Sequence, residues 1–144
     1  MSAERALKAL ETLGRARDME LTERRREAAR LQNQHERVIK AVADLRQAMA
    51  DEGEATAGDP AMMNAYALFA ASARRRIVAL QEAKTKLEAE IDRADAAIAE
   101  AYRAFKQIEQ AAETRREEIA EEAARKERAV ADDLAAVRAL RNSA

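Results

Sequence analysis

His35 is the single imidazole in a chain of 144 residues without cysteine, so any metal site would have to be completed by carboxylates alone. The acidic pairs that could help are Glu117/Glu118, Glu121/Glu122 and Asp132/Asp133. Adjacent residues on a helix point apart, which makes each pair part of a solvated face and not a chelate. The three glycines are scattered, and none opens the Gly-Lys-Ser/Thr pattern that a phosphate-cradling loop requires. Two arginine triplets, Arg24–Arg25–Arg26 and Arg74–Arg75–Arg76, are the strongest concentrations of positive charge. Three consecutive helical residues spread over about 200° of the surface, so each triplet is a belt and offers no flat face to a phosphate backbone. No aromatic residues interleave with them to stack on bases. The sequence therefore predicts no enzyme, no cofactor, no metal and no nucleic-acid partner. His35 reads as a polar residue on a helical seam, where it lowers stability and helps to set register.

The elements that carry these residues follow from composition and spacing. Charged residues make up 37% of the chain and aromatics 3%, too little bulk for a compact core. Alanine, glutamate, arginine, lysine and leucine dominate, and the bulky apolar residues are spaced and not missing, as in long helices and coiled coils. Stepping by three and four from Leu7 gives Leu10, Gly14, Arg17, Leu21, Arg24, Ala28, Leu31, His35, Val38, Val42, Leu45 and Met49, a heptad stripe over a first helix from about 2 to 50. DEGEATAG concentrates acid and glycine and predicts a loop over 51–59. Asp59 followed by Pro60 reads as an N-cap and a proline at the first helical position. The second stripe runs Tyr66, Ala70 or Phe69, Ala73, Ile77, Leu80, Lys84, Leu87, Ile91, Ala94, Ile98, Ala101, Phe105, Ile108, Ala112, Arg115 and Ile119. After a slip of register it continues through Ala123, Lys126, Val130, Leu134 and Val137, predicting a second helix from 60 to about 140.

The predicted fold is all-α: one domain spanning 1–144, in which two long helices form an antiparallel coiled-coil hairpin. At 1.5 Å per residue the helices measure roughly 70 and 120 Å, so the first covers about 50 residues of the second and the remainder protrudes. Glu11/Arg15, Glu20/Arg24, Glu36/Lys40, Glu82/Lys86, Glu121/Arg125 and Glu122/Lys126 place acid four residues before base, each worth about 0.2–0.5 kcal/mol in an isolated helix. The formal charge of −1 supplies no overall field toward nucleic acid or an anionic membrane. No apolar run is long enough to span a bilayer or to serve as a signal peptide, so the cytoplasm is the expected compartment, without direct membrane insertion.

Recognition between helices is what remains. The segment GDPAMMNAYALF, residues 58–69, holds the only proline, two of five methionines and two of four aromatic residues. Two readings are open and compatible: its side chains close the hairpin tip against Leu45 and Met49, or the tip is too narrow to hide them all and leaves an adaptable apolar patch for a partner.

The chain resembles the FliJ family of flagellar type III export proteins. The matching features are the early leucines of ALKALETLGRARDMEL, the acidic glycine-containing loop, NAYALFAASARRRIVALQEAKTKLE with a phenylalanine three residues after a tyrosine, and AYRAFKQIEQAAETRREE. Length and hairpin plan agree over nearly the whole chain. The resemblance implies a non-enzymatic cytoplasmic stalk, peripherally associated with the membrane-bound export apparatus. Such a stalk engages and stimulates the hexameric export ATPase, contacts the cytoplasmic domain of the export gate and meets substrate chaperones. Carried over by position, the gate contact falls on Val38, Val42, Leu45, Met49, Tyr66, Phe69 and Ala73. The ATPase contact falls, by region, on Leu7, Leu10, Leu13, Ile119, Val130, Leu134 and Val137. Two alternatives stay open: the equivalent stalk of a virulence-type secretion system, and a self-associating structural coiled coil whose dimerisation seam is the uncovered part of the second helix.

Overall fold

A computed structural model of the chain describes residues 2–143. Two α-helices account for nearly all of them, α1 over Ala3–Thr56 and α2 over Pro60–Asn142, with no strand among the described residues. Ser2 caps α1: its Oγ accepts from the Arg5 N–H at 3.2 Å, and its carbonyl accepts from Ala6 at 3.1 Å. The two helices pack on one another as a helical hairpin.

The predicted loop is too long. The helix does not end near residue 50 but continues through Asp51–Thr56, leaving three residues, Ala57–Asp59, as the connection. Glycine at position 53 costs about 1 kcal/mol in a helix interior. Here it is compensated by the Tyr66 ring, which lies against it so closely that a Cβ at Gly53 would stand 3.2 Å from the phenolic oxygen. Thr56, buried among these last residues, returns its hydroxyl to the Glu52 carbonyl at 2.8 Å. The break itself falls on Gly58, which takes φ +86°, a left-handed conformation that side chains resist. Asp59 then caps α2 as expected, its Oδ1 accepting from the Ala61 N–H at 3.1 Å, and Pro60 fills the first helical position.

The chain divides into two compact units, one over Thr22–Ala99 and one combining the residues up to Leu21 with those from Glu100 onward. Within the first, the helices run antiparallel, with Gly53 beside Tyr66 and His35 beside Glu88. Leu31, Val42, Ala70, Ala73 and Ile91 are its buried core residues, with Ala28. Within the second, Glu11 lies beside Arg116 and Gly14 beside Ile108, again antiparallel, around Leu21, Ala101 and Ala112. As far as Ile119 the predicted stripe positions are buried or half-buried in both helices, with Arg24, Arg115 and Phe69 as exceptions; beyond it Ala123, Lys126, Val130, Leu134 and Val137 are exposed. Ala70, not Phe69, takes the seam; both arginines extend outward, as guanidinium groups do where no buried partner compensates the loss of water.

Pairing along α2 reaches Ala112, which is buried, and Ile119, which is half-buried. Every residue from Ala120 to Ser143 is exposed. The covered length exceeds the expected 50 residues because α1 continues past its expected end.

Candidate functional site

Two surfaces gather the predicted contact residues. The first surrounds the turn. Val42 and Ala73 are buried at 5% and 4% exposure, so their surface is already covered by the opposite helix. Val38, Leu45, Met49 and Tyr66 are half-buried. Phe69, Met62 and Met63 are exposed at 37%, 50% and 54%. Met62, Tyr66 and Phe69 follow at intervals of four and three residues and share one side of α2, at the edge of the seam. Tyr66 seals the last turn of α1 over Gly53 and, half-buried, stands at the border of that exposed apolar group.

The second surface belongs to the other unit. Leu7 and Leu10 are half-buried against α2, while Leu13 is 40% exposed and lies off the seam line, since Leu10 and Gly14 occupy it. Gly14 leaves a notch, an open recess of about 340 Å³ floored by Leu10, Gly14, Phe105, Ile108 and Ala112. Arg116 closes one side, reaching Glu11 at 3.5 Å across the helices and Glu113 at 3.1 Å along its own. Farther along α2, Val130, Leu134 and Val137 are 60%, 54% and 48% exposed on the line that Ala112 and Ile119 begin. No residue of α1 stands opposite them.

Of the six acid-before-base pairs, Glu121–Arg125 and Glu122–Lys126 close at 3.8 and 3.5 Å. Elsewhere geometry selects other partners: Glu20 takes Arg17 at 3.1 Å, and Lys40 takes Asp44 at 2.8 Å. Arg30 chelates Glu27, holding that carboxyl below its ordinary range, while Glu27 raises the guanidinium in return. Asp44 raises the Lys40 amine through the same kind of charge-assisted hydrogen bond. Lys106 is raised by its 3.1 Å contact with Glu109, and its ammonium lies 5.7 and 5.9 Å from the Tyr102 and Phe105 ring centroids.

His35 occupies the seam, with its side chain 19% exposed. Its Nε2–H donates to Glu88 Oε1 at 3.3 Å, and the same oxygen meets Lys84 Nζ at 3.7 Å. Spacing alone finds His35 and Lys84 as seam positions, but it does not reveal Glu88, which lies off the stripe and turns back to bridge them. Arg17 is a further polar seam residue; its Nε is enclosed with no hydrogen-bond partner among the described residues.

Among the described residues no cluster of three or more acidic, histidine or cysteine side chains could hold a metal ion. Likewise, no helix among them is long and apolar enough to cross a membrane. The arrangement can bury apolar surface and pair charges against another protein. Comparison with family descriptions, with curated proteins and with solved structures finds no match for the chain.

Proposed function

We propose that the chain is a non-enzymatic coiled-coil stalk of a flagellar type III protein export apparatus, acting in the cytoplasm at the membrane-bound machinery. The observation that carries this reading is the continuation of the α2 seam, exposed, through Val130, Leu134 and Val137 past the stretch that α1 covers. An apolar stripe on a helix without a partner is a surface for another protein, and the export ATPase hexamer is the partner that the resemblance to the FliJ family implies. The half-open group of Met62, Tyr66 and Phe69 supports a second contact, with the cytoplasmic domain of the export gate. Substrate chaperones complete the proposed set of partners. In this role the stalk performs no chemistry; it transmits contacts through stiff helices while hydrolysis stays in the ATPase.

Mixing the chain with the export ATPase of the same organism tests the proposal. Hexamer formation and ATP turnover should both rise, and the rise should be lost with Val130→Glu/Leu134→Glu. No change with the unaltered chain contradicts the reading. For the gate contact, Tyr66→Ala/Phe69→Ala should weaken binding to the gate's cytoplasmic domain by about tenfold or more, in line with the loss of aromatic anchors. Helical content should stay nearly intact.

A further inference from the structure

On one flank of the unit over Thr22–Ala99 the helices leave an open recess of about 170 Å³, lined by Ile39, Val42, Ala43 and Arg46 of α1 and by Gln81 and Lys84 of α2. Val42 is its buried floor, while Ile39, 45% exposed, and Ala43 are open to solvent. The ends of this groove are cationic. Arg74 stands two helical turns before Gln81 and so on the same side of α2. The pairing of Gly53 with Tyr66 and of His35 with Glu88 sets Arg46 level with it across the groove. Both arginines are exposed, and neither has a carboxylate within ion-pair reach among the described residues. At the other end Lys84 meets Glu88 at 3.7 Å, on an oxygen that His35 already engages at 3.3 Å. Three cations thus face one shared carboxylate, with the apolar recess between them.

We infer that this groove docks an acidic amphipathic helix of another protein, with one carboxylate held by Arg46 and Arg74, a second at Lys84, and an aliphatic side chain seated in the recess. The spacing suits a helix. Arg74 and Lys84 are ten residues apart, about 15 Å, close to the rise between positions i and i+11 of a docked helix, whose i+4 and i+7 side chains share the same face. Paired guanidinium groups grip a carboxylate more firmly than a lone ammonium does. A nucleic-acid backbone fits less well, because its closely spaced phosphates need a longer run of cations and offer nothing apolar to Ile39. Asp92, eleven residues after Gln81 on the same side of α2, also closes the groove to a long polyanion.

The inference does not rest on the stalk reading. Phe69 lies five residues before Arg74, about 140° round α2, so the groove is on the opposite flank from Met62 and Phe69.

Fluorescence anisotropy tests the inference on the full chain. The probe is a labelled, capped peptide of about 18 residues, built of alanine and glutamine, with glutamates at positions i and i+11 and leucines at i+4 and i+7. Half-saturation is expected at or below about 100 µM. Arg46→Gln/Arg74→Gln should raise it about tenfold, and Ile39→Ser several-fold, with circular dichroism unchanged because all three residues are exposed. Replacing the peptide's leucines by alanine should weaken binding to the unaltered chain several-fold. Arg24→Gln/Arg25→Gln removes as much charge outside the groove and should leave binding as it is. No binding up to about 1 mM, equal losses from the two arginine pairs, a leucine-free peptide that binds as well, or a short DNA duplex that binds more tightly than the peptide overturns the inference. No ATPase or export gate enters these measurements, so a failure here is separable from a failure of the stalk reading.

Discussion

The two stretches of α2 on either side of Ile119 are built from similar residues and have different surroundings. Before it, Ala70, Ala73, Ile91, Ala101 and Ala112 are buried against α1. After it, Val130, Leu134 and Val137 continue the stripe at about half exposure or more. Both stretches are helical. The difference teaches that helix formation here does not depend on having a neighbour at each turn: alanine, straight-chain charged residues and the Glu121–Arg125 and Glu122–Lys126 pairs sustain the helix locally. What the neighbour adds is cooperative stability.

The most severe way to break this comparison is to make equivalent truncations on its two sides. Leu31→Ala, at a position 4% exposed, should lower unfolding stability by about 2–4 kcal/mol in urea titrations followed by circular dichroism. Leu134→Ala, in dilute protein, should change it by less than about 0.5 kcal/mol. Comparable losses at both sites would mean that the tail is covered after all.

The turn offers the next largest effect. Gly58→Ala forces a side chain into a left-handed conformation at φ +86° and should cost about 1 kcal/mol, although a Cβ there meets no atom within 4 Å. The opposite sign is expected at Gly14. A Cβ there reaches Ile108 at 3.6 Å, an ordinary van der Waals contact, so Gly14→Ala should stabilise by about 0.5–1 kcal/mol and fill the notch on the paired side. Thermal melts of both variants check the pair of signs.

The smallest effect is electrostatic. Glu27 titrates below an ordinary carboxylate because Arg30 holds its charged form, so the stability this pair contributes is present above the ordinary carboxylate range and is lost as pH falls through the lowered value. Glu27→Gln should remove that part of the acid dependence, a small change because the pair is fully exposed. Lys40 behaves in the opposite sense: its raised amine keeps its contribution below the ordinary lysine range and loses it as pH rises through the raised value. Urea titrations at a series of pH values, comparing Glu27→Gln and Asp44→Asn with the unaltered chain, check both signs.

Much of this was legible in spacing. The alternation of threes and fours identified nearly every seam residue, and Asp59–Pro60 marked the start of α2, because burial on one face and capping chemistry are both local in sequence. The end of α1 was not legible. Gly53 and its acidic neighbours look like a loop until Tyr66 is known to lie on that glycine, a contact between positions thirteen residues apart. The Glu88 bridge between His35 and Lys84 was hidden for the same reason, since an off-stripe carboxylate gives no periodic signal. The candidate surfaces were legible as stripes; the consumption of Val42 and Ala73 by the opposite helix and the retreat of Phe69 from the seam required the packed structure.

Residue-resolved hydrogen exchange in dilute protein measures the division of α2 most directly. Amides from about Ser72 to Ile119 should open only with the whole hairpin and share one high protection, while those from Ala120 to Asn142 should exchange through local fraying with protection at least a hundredfold lower. Uniform protection along α2 would contradict the account, because it would require a neighbour for the tail within the single chain.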